Sequence, residues 1–164
     1  MHAQIISRRI RYVKAYSLRA VEQQELGALF ARITRRLVEA ERPLLESHGL
    51  SMWAYIALSH LAHEPADTQL ALARAIRHDK TRLIALLDEL ERKDLITRTP
   101  DPADRRARIV KLTARGAALH AAARADIRAM EDEFLQALEP RERTALRSTL
   151  AQLAAASEAL AQSA

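Results

Sequence analysis

Cysteine is absent from all 164 residues, which excludes disulfides, thiolate metal sites and cysteine redox sensing and fits a reducing cytoplasm. Glycine occurs three times and never as a phosphate-cradling loop, and aromatic residues make up only 4% of the chain. No apolar run approaches a membrane span, because every candidate helix carries charges within a few residues. The first nine residues lack the apolar stretch of a secretory signal. Arg8, Arg9, Arg11 and Lys14 would suit a membrane-surface helix or a targeting stretch, but a mobile basic tail is the simpler reading. Neither a Gly-x-Ser-x-Gly elbow nor a His-Glu-x-x-His pair occurs, so an enzyme is not expected and no cofactor is implied.

Ala, Leu, Arg and Glu dominate what is there, which points to a mainly α protein with one core-forming domain. The formal charge of +5 is unevenly placed. Residues 74–115 hold 12 Lys/Arg against 7 Asp/Glu, and residues 1–21 hold five basic residues and no acidic one. The rest of the chain is therefore net acidic. Positive charge concentrated in two segments suits electrostatic attraction to phosphates.

A helical pattern runs from Glu22 to about His48, through Leu26, Leu29, Phe30, Ile33, Leu37 and Leu44. Pro43 lies inside it and predicts a kink or break near Arg42. Gly49 supplies a stop, and Ser51 caps a helix from Met52 to His63. Pro65-Ala66-Asp67 reads as a turn. After residue 113 a helix capped by Thr113 is expected to reach about Leu138, and Pro140 opens a last one through Leu146, Leu150, Leu153 and Leu160. Ala/Leu stripes let such terminal helices approach closely, either across a two-fold axis in a homodimer or as a hairpin within a monomer; the homodimer is preferred.

The central segment is the most informative. Thr68 caps a helix to Ile76, and Asp79 opens a second to Lys93. Strands Leu95–Thr99 and Arg108–Leu112 then flank the charged turn 100–107. That order is a helix-turn-helix with a basic two-stranded wing, within an α+β chain bounded by long terminal dimerisation helices. The expected division is 1–21 as a basic extension, 22–48 and 114–164 as the dimerisation region, and 49–113 as the reader of double-stranded DNA.

In the second reader helix, Leu83, Leu86, Leu87 and Leu90 share one face and anchor it. Lys80, Thr81, Arg82 and Ala85 lie off that face. Thr81 and Arg82 occupy the first turn, where Arg82 offers two donors to a guanine unless it pairs with Asp79 or Asp88. Ile84 either contacts a thymine methyl or packs under the first reader helix. In the wing, Asp104 stands two residues before Arg106 and is placed to aim its guanidinium at a minor groove. Arg105 and Arg108 are then available to phosphates; a solvated, salt-bridged hairpin is the plainer alternative.

These residues resemble the MarR family of winged helix-turn-helix regulators. The resemblance rests on Gly49-Leu50-Ser51, Leu72-Ala73, Leu86-Leu87-Asp88-Glu89-Leu90-Glu91 and Leu95-Ile96. It continues in Asp101-Pro102-Ala103-Asp104-Arg105-Arg106 and in Val110-Lys111-Leu112-Thr113-Ala114-Arg115-Gly116, and it spans about Glu22 to Leu160. It implies an obligate dimer binding a promoter palindrome, usually a repressor released by a small ligand. It also implies a wing-tip arginine at Arg106 supported by Asp104, with base contacts near Lys80, Thr81, Arg82, Ile84 and Ala85. Ile84 and Ala85 depart from the polar residue and arginine that members often carry there, which thins or shifts base readout.

Many relatives hold aromatic or phenolic acids between the dimerisation helices and the reader. Ile33, Leu37, Trp53, Ile56, Arg115 and Leu119 are the corresponding candidates here, although a lone tryptophan at helical spacing is more often core. His60 and His63, followed by Glu64, have a spacing that supports a metal, but without a further ligand cluster a surface pair is preferred and no metal is assigned. Two other classes remain in view: an architectural DNA protein without sequence preference, and a helical scaffold for a protein partner.

Overall fold

A computed structural model describes residues 25–63, 67–102, 104 and 107–162. The basic extension 1–21, residues 64–66 and the wing residues Ala103, Arg105 and Arg106 lie outside these. The elements are α1 (Leu26–Ser47), α2 (Met52–His63), β1 (Asp67–Thr68), α3 (Gln69–Ala75), α4 (Lys80–Arg92), β2 (Ile96–Pro100), β3 (Arg108–Leu112), α5 (Ala114–Phe134), a 3-10 turn Leu135–Ala137, and α6 (Pro140–Gln162). They form two compact units, 33–130 and a helical unit of the remaining described residues.

Helix starts follow their caps. Ser51 Oγ accepts from Ala54 N–H at 3.1 Å, Thr68 Oγ1 from Ala71 N–H at 3.1 Å and Asp79 Oδ1 from Arg82 N–H at 3.0 Å. Each satisfies one of the amide donors that a helix leaves orphaned at its first turn, worth about 1 kcal/mol. Helix ends are less ordinary, because the chain spends little glycine. α1 stops at Gly49 (φ 66°), whose neighbour Leu50 N–H reaches back to Leu45 O at 2.9 Å. The same left-handed stop recurs at Arg77 (φ 50°) and Asp94 (φ 57°), closed by His78 N–H to Ala73 O and Leu95 N–H to Leu90 O. A side chain in that conformation costs roughly 1–2 kcal/mol, which the packed helices on either side must offset.

Several expectations need correction. α1 continues through Pro43 without a break. Pro43 removes one intrahelical hydrogen bond, but the turn beyond it is anchored by Leu45, which is 1% exposed. Asp67 belongs to a strand rather than a turn: it pairs with Val110, so the sheet has three strands in the order β1-β3-β2. β2 begins at Ile96, one residue late, because the Leu95 N–H is spent closing the end of α4 on Leu90 O at 2.9 Å. α5 ends at Phe134, and the expected path to Leu138 continues as the 3-10 turn.

Within the 33–130 unit, Leu45, Leu50, Leu58, Leu61, Leu72, Leu83, Leu87, Leu90, Leu95, Ile96 and Val110 form one core. Leu83, Leu87 and Leu90 are each within 1% of full burial, so one face of α4 is committed and the opposite one is left outward. In the other unit α6 pins itself to the end of α5 through Arg147, which donates to Glu131 at 3.1 Å and to Asp132 at 2.9 Å. Leu26, Phe30, Phe134, Leu146, Leu150 and Leu153 of this unit are exposed.

The Leu-Thr-x-x-Gly stretch after the wing has a clear physical basis. Thr113 Oγ1 donates to Asp94 O at 2.7 Å and accepts from Gly116 N–H at 2.9 Å, so one hydroxyl joins the start of α5 to the start of β2. Gly116 lies so close that a Cβ there would stand 2.8 Å from the Leu95 carbonyl carbon. Gly116→Ala is expected to destabilise the fold by roughly 1–3 kcal/mol or more, as overpacking against backbone does. A shift of the denaturant midpoint checks this; an unchanged midpoint would show that β2 and α5 are not held in this contact.

Candidate nucleic-acid interface

The outward face of α4 carries Lys80, Thr81, Arg82, Ile84 and Ala85, all exposed. Thr81, Ile84, Ala85 and Asp88 form a stripe at helical spacing, with Arg82 beside it. Ile84 is 41% exposed, so it is on the outward face and not packed beneath α3. Among the described residues no carboxylate pairs with the Arg82 side chain: Asp79 caps the helix through the Arg82 amide, and Asp88 turns to another arginine.

That arginine, Arg98, was not singled out by sequence reasoning. Its side chain is 19% exposed on β2, and its Nη2 stands 2.7 Å from Asp88 Oδ1. Its Nε and Nη2 both donate to Glu91 Oε2, at 2.9 and 2.5 Å. The available signal was strand alternation: Ile96 is buried and Thr97 exposed, which turns Arg98 back toward α4. The Arg98 hydrogen bond holds the Glu91 carboxyl below the ordinary carboxylate range despite a smaller opposing effect of burial. Hydrogen bonding to Glu91, and secondarily to Asp88, raises the Arg98 guanidinium's already high pKa.

In the wing, β2 and β3 pair from Ile96 opposite Leu112 to Pro100 opposite Arg108. Beyond Pro100, Asp101 N–H donates to Ala107 O at 3.1 Å and Ala107 N–H to Asp104 O at 2.9 Å, which narrows the tip. Asp104 and Arg108 are exposed. Arg108 also lines a cleft of about 420 Å³ with Gln69, Glu91 and Arg98. The Asp104–Arg106 pairing falls on a residue outside the described ones, as does Arg105.

Two of the effector candidates share a cleft. Arg115 and Leu119 line an open cleft of about 500 Å³ with His48, Gly49, Lys93, Leu95 and Ala118. Trp53, Ile33, Leu37 and Ile56 are not part of that lining. Trp53 packs instead on His78, in the turn between α3 and α4, with ring centroids 4.2 Å apart. Ile33 is exposed, and Leu37 and Ile56 are half-buried. Among the described residues no group of three or more His, Asp or Glu is arranged to hold a metal; His63 Nδ1 donates to Ser59 O at 2.8 Å, and Glu64 lies outside them.

Residues 48–107 match the MarR family pattern. The chain is 31% identical to the transcriptional repressor CouR bound to a 23-mer DNA duplex, over 79% of this chain and 92% of that one, with a TM-score of 0.69. The chain belongs to the MarR family. It is also similar to a MarR-family regulator from Rhodococcus, at 27% identity over 85% and 96% of the two chains (TM-score 0.69). A Staphylococcus aureus MepR variant bound to an oligodeoxyribonucleotide matches at 25% identity over 82% and 99%, with a TM-score of 0.58. The family's winged-helix fold is therefore the frame in which α4 and the hairpin sit.

One buried titratable group in this frame predicts a pH dependence. His120 is 5% exposed, shares a 3.0 Å hydrogen bond with Ser59 Oγ, and lies 5.5 Å from the Tyr55 ring. Burial, and then the nearby Arg124 and His63 charges, push its pKa below the ordinary 6.5. The unfolded chain therefore takes up this proton first, and stability falls as the pH drops from above 6.5 toward the lower folded-state value. Tm measured against pH is expected to slope less in His120→Gln than in the wild type. Parallel slopes would place the pH dependence elsewhere.

Proposed function

We propose that this chain is a sequence-specific, homodimeric DNA-binding repressor, and not an enzyme, that is released from a palindromic promoter site by a small organic acid. The observation that carries the reading is the outward face of the first turns of α4, where Lys80, Thr81, Arg82, Ile84 and Ala85 are exposed and, among the described residues, no carboxylate pairs with the Arg82 side chain, beside a hairpin on the same core. Lys80, Thr81, Arg82, Ile84 and Ala85 would meet base edges and flanking phosphates in the major groove. Arg82 is the guanine reader, and Ile84 offers apolar contact to a thymine methyl. Arg106, aimed by Asp104, would enter the neighbouring minor groove, while Arg105 and Arg108 would bind phosphates.

The homodimer is supported by the exposed Leu26, Phe30, Phe134, Leu146, Leu150 and Leu153, a set of large apolar side chains that a second copy would cover. DNA-bound relatives support the duplex as ligand. For the effector, the cleft that holds Arg115 and Leu119 supplies a cation beside an apolar wall, which suits a carboxylate on an aromatic body.

A titration at fixed salt tests the reading. Duplexes selected by the protein from genomic fragments are expected to bind at least 10³-fold more tightly than scrambled ones of equal length. Equal affinities would make it an architectural DNA protein, and no binding at moderate salt would leave a protein scaffold. Arg82→Ala is expected to change base preference at a cost of about 1–3 kcal/mol, and Arg106→Ala to weaken most duplexes. A uniform loss for Arg82→Ala would reduce it to a phosphate contact, and unchanged affinity for Arg106→Ala would remove the wing from the interface. Benzoate and hydroxybenzoates are expected to release bound duplex from the wild type and not from Arg115→Ala; equal release from both would move the effector site away from this cleft.

A further inference from the structure

We infer that Arg98, gripped by Asp88 and Glu91, is a positioning residue that sets the spacing between α4 and the wing, and with it base discrimination rather than phosphate affinity. The inference rests on the DNA-reading function proposed above. Its grounds are geometric. Asp88 lies on the outward stripe of α4 and Glu91 one turn further along, while Arg98 projects from the middle of β2. The planar guanidinium makes contacts from Nε and Nη2 to two carboxylates on one helix, so it resists both rotation and sliding of the strand along that helix.

Charge points the same way. Arg98 lies against α4, the proposed reading helix, yet its side chain is 19% exposed and its charge is answered by two acids. Arg108, which lines the same cleft, is exposed, and among the described residues no pair of carboxylates grips it. A cation saturated in this way has little to offer a phosphate. Lysine cannot take over, since a point charge lacks the fork that spans both acids.

Duplexes selected from a random pool by the wild-type protein, and scrambled duplexes of equal length, are titrated across a salt series with Arg98→Gln, Arg98→Lys and Glu91→Gln. Arg98→Gln and Arg98→Lys are expected to lower the ratio of selected to scrambled affinity about tenfold, with the salt slope unchanged. Glu91→Gln should lower the ratio in the same direction, and combining it with Arg98→Gln should cost less than the two losses together. A direct phosphate contact predicts the opposite pattern: Arg98→Gln weakens both duplexes equally and reduces the salt slope by about one, while Glu91→Gln tightens both. That pattern, or an unchanged ratio, overturns the inference. Melting curves accompany each variant, and if Arg98→Gln does not fold, Glu91→Gln decides alone. A wild-type protein that fails to discriminate the two duplexes refutes the DNA-reading function itself, a result separate from any variant's behaviour.

Discussion

Strand β2 is tied to its neighbours on both sides, and the geometry of the reader depends on those ties. At its start, Leu95 N–H closes the end of α4 through Leu90 O, while Leu95 O receives Thr113 N–H at the head of α5. Gly116 lets α5 approach that same carbonyl more closely than any other residue would allow. Midway along the strand, Arg98 reaches back to Asp88 and Glu91. Beneath both lies the apolar seam of Leu83, Leu87, Leu90, Leu95 and Ile96. Helix and hairpin are therefore presented as one body. In the proposed mode of binding the two surfaces enter adjacent grooves and gain from being pre-arranged, since ordering them on binding would cost affinity.

The distribution of charge follows from the same arrangement. The segment that includes the reader is rich in both signs, but the four acids of α4 and its cap are engaged within the protein. Asp79 caps α4, Asp88 and Glu91 hold Arg98, and Glu89 accepts Lys93 Nζ at 2.6 Å. What remains outward on the first turns of α4 is cationic or neutral. A net charge of +5 for the whole chain says little by itself; the acids' engagement in caps and pairs is what leaves a surface suited to phosphates.

Local signals carried much of this fold. The caps at Ser51, Thr68, Asp79 and Thr113, the stop at Gly49 and the proline opening α6 each act within one turn of chain, so the sequence displays them directly. The leucine face of α4 and the outward Lys80, Thr81, Arg82 and Ala85 were legible for the same reason, as helical periodicity reports burial, whereas the outward placement of Ile84 was left open by the sequence. Long-range pairings were not. Asp67 joins the sheet through Val110, far along the chain, and no local pattern announces a two-residue strand. Arg98 is seven residues from Glu91, and its inward turn shows only once β2 is laid against α4. The stops at Arg77 and Asp94 were hidden because neither is glycine. The effector set was read by analogy of position, and the described cleft contains only Arg115 and Leu119 of its six members.

Dimethyl sulfate interference on a selected duplex tests the central claim most directly, because the reagent marks guanine N7 in the major groove and adenine N3 in the minor groove. The account predicts interference at guanine N7 within each half-site and at adenine N3 roughly half a helical turn, about 5 base pairs, to its side, repeated symmetrically about a dyad. Interference confined to one groove, or spread evenly along the duplex, would contradict a helix and wing that act as a single reading body.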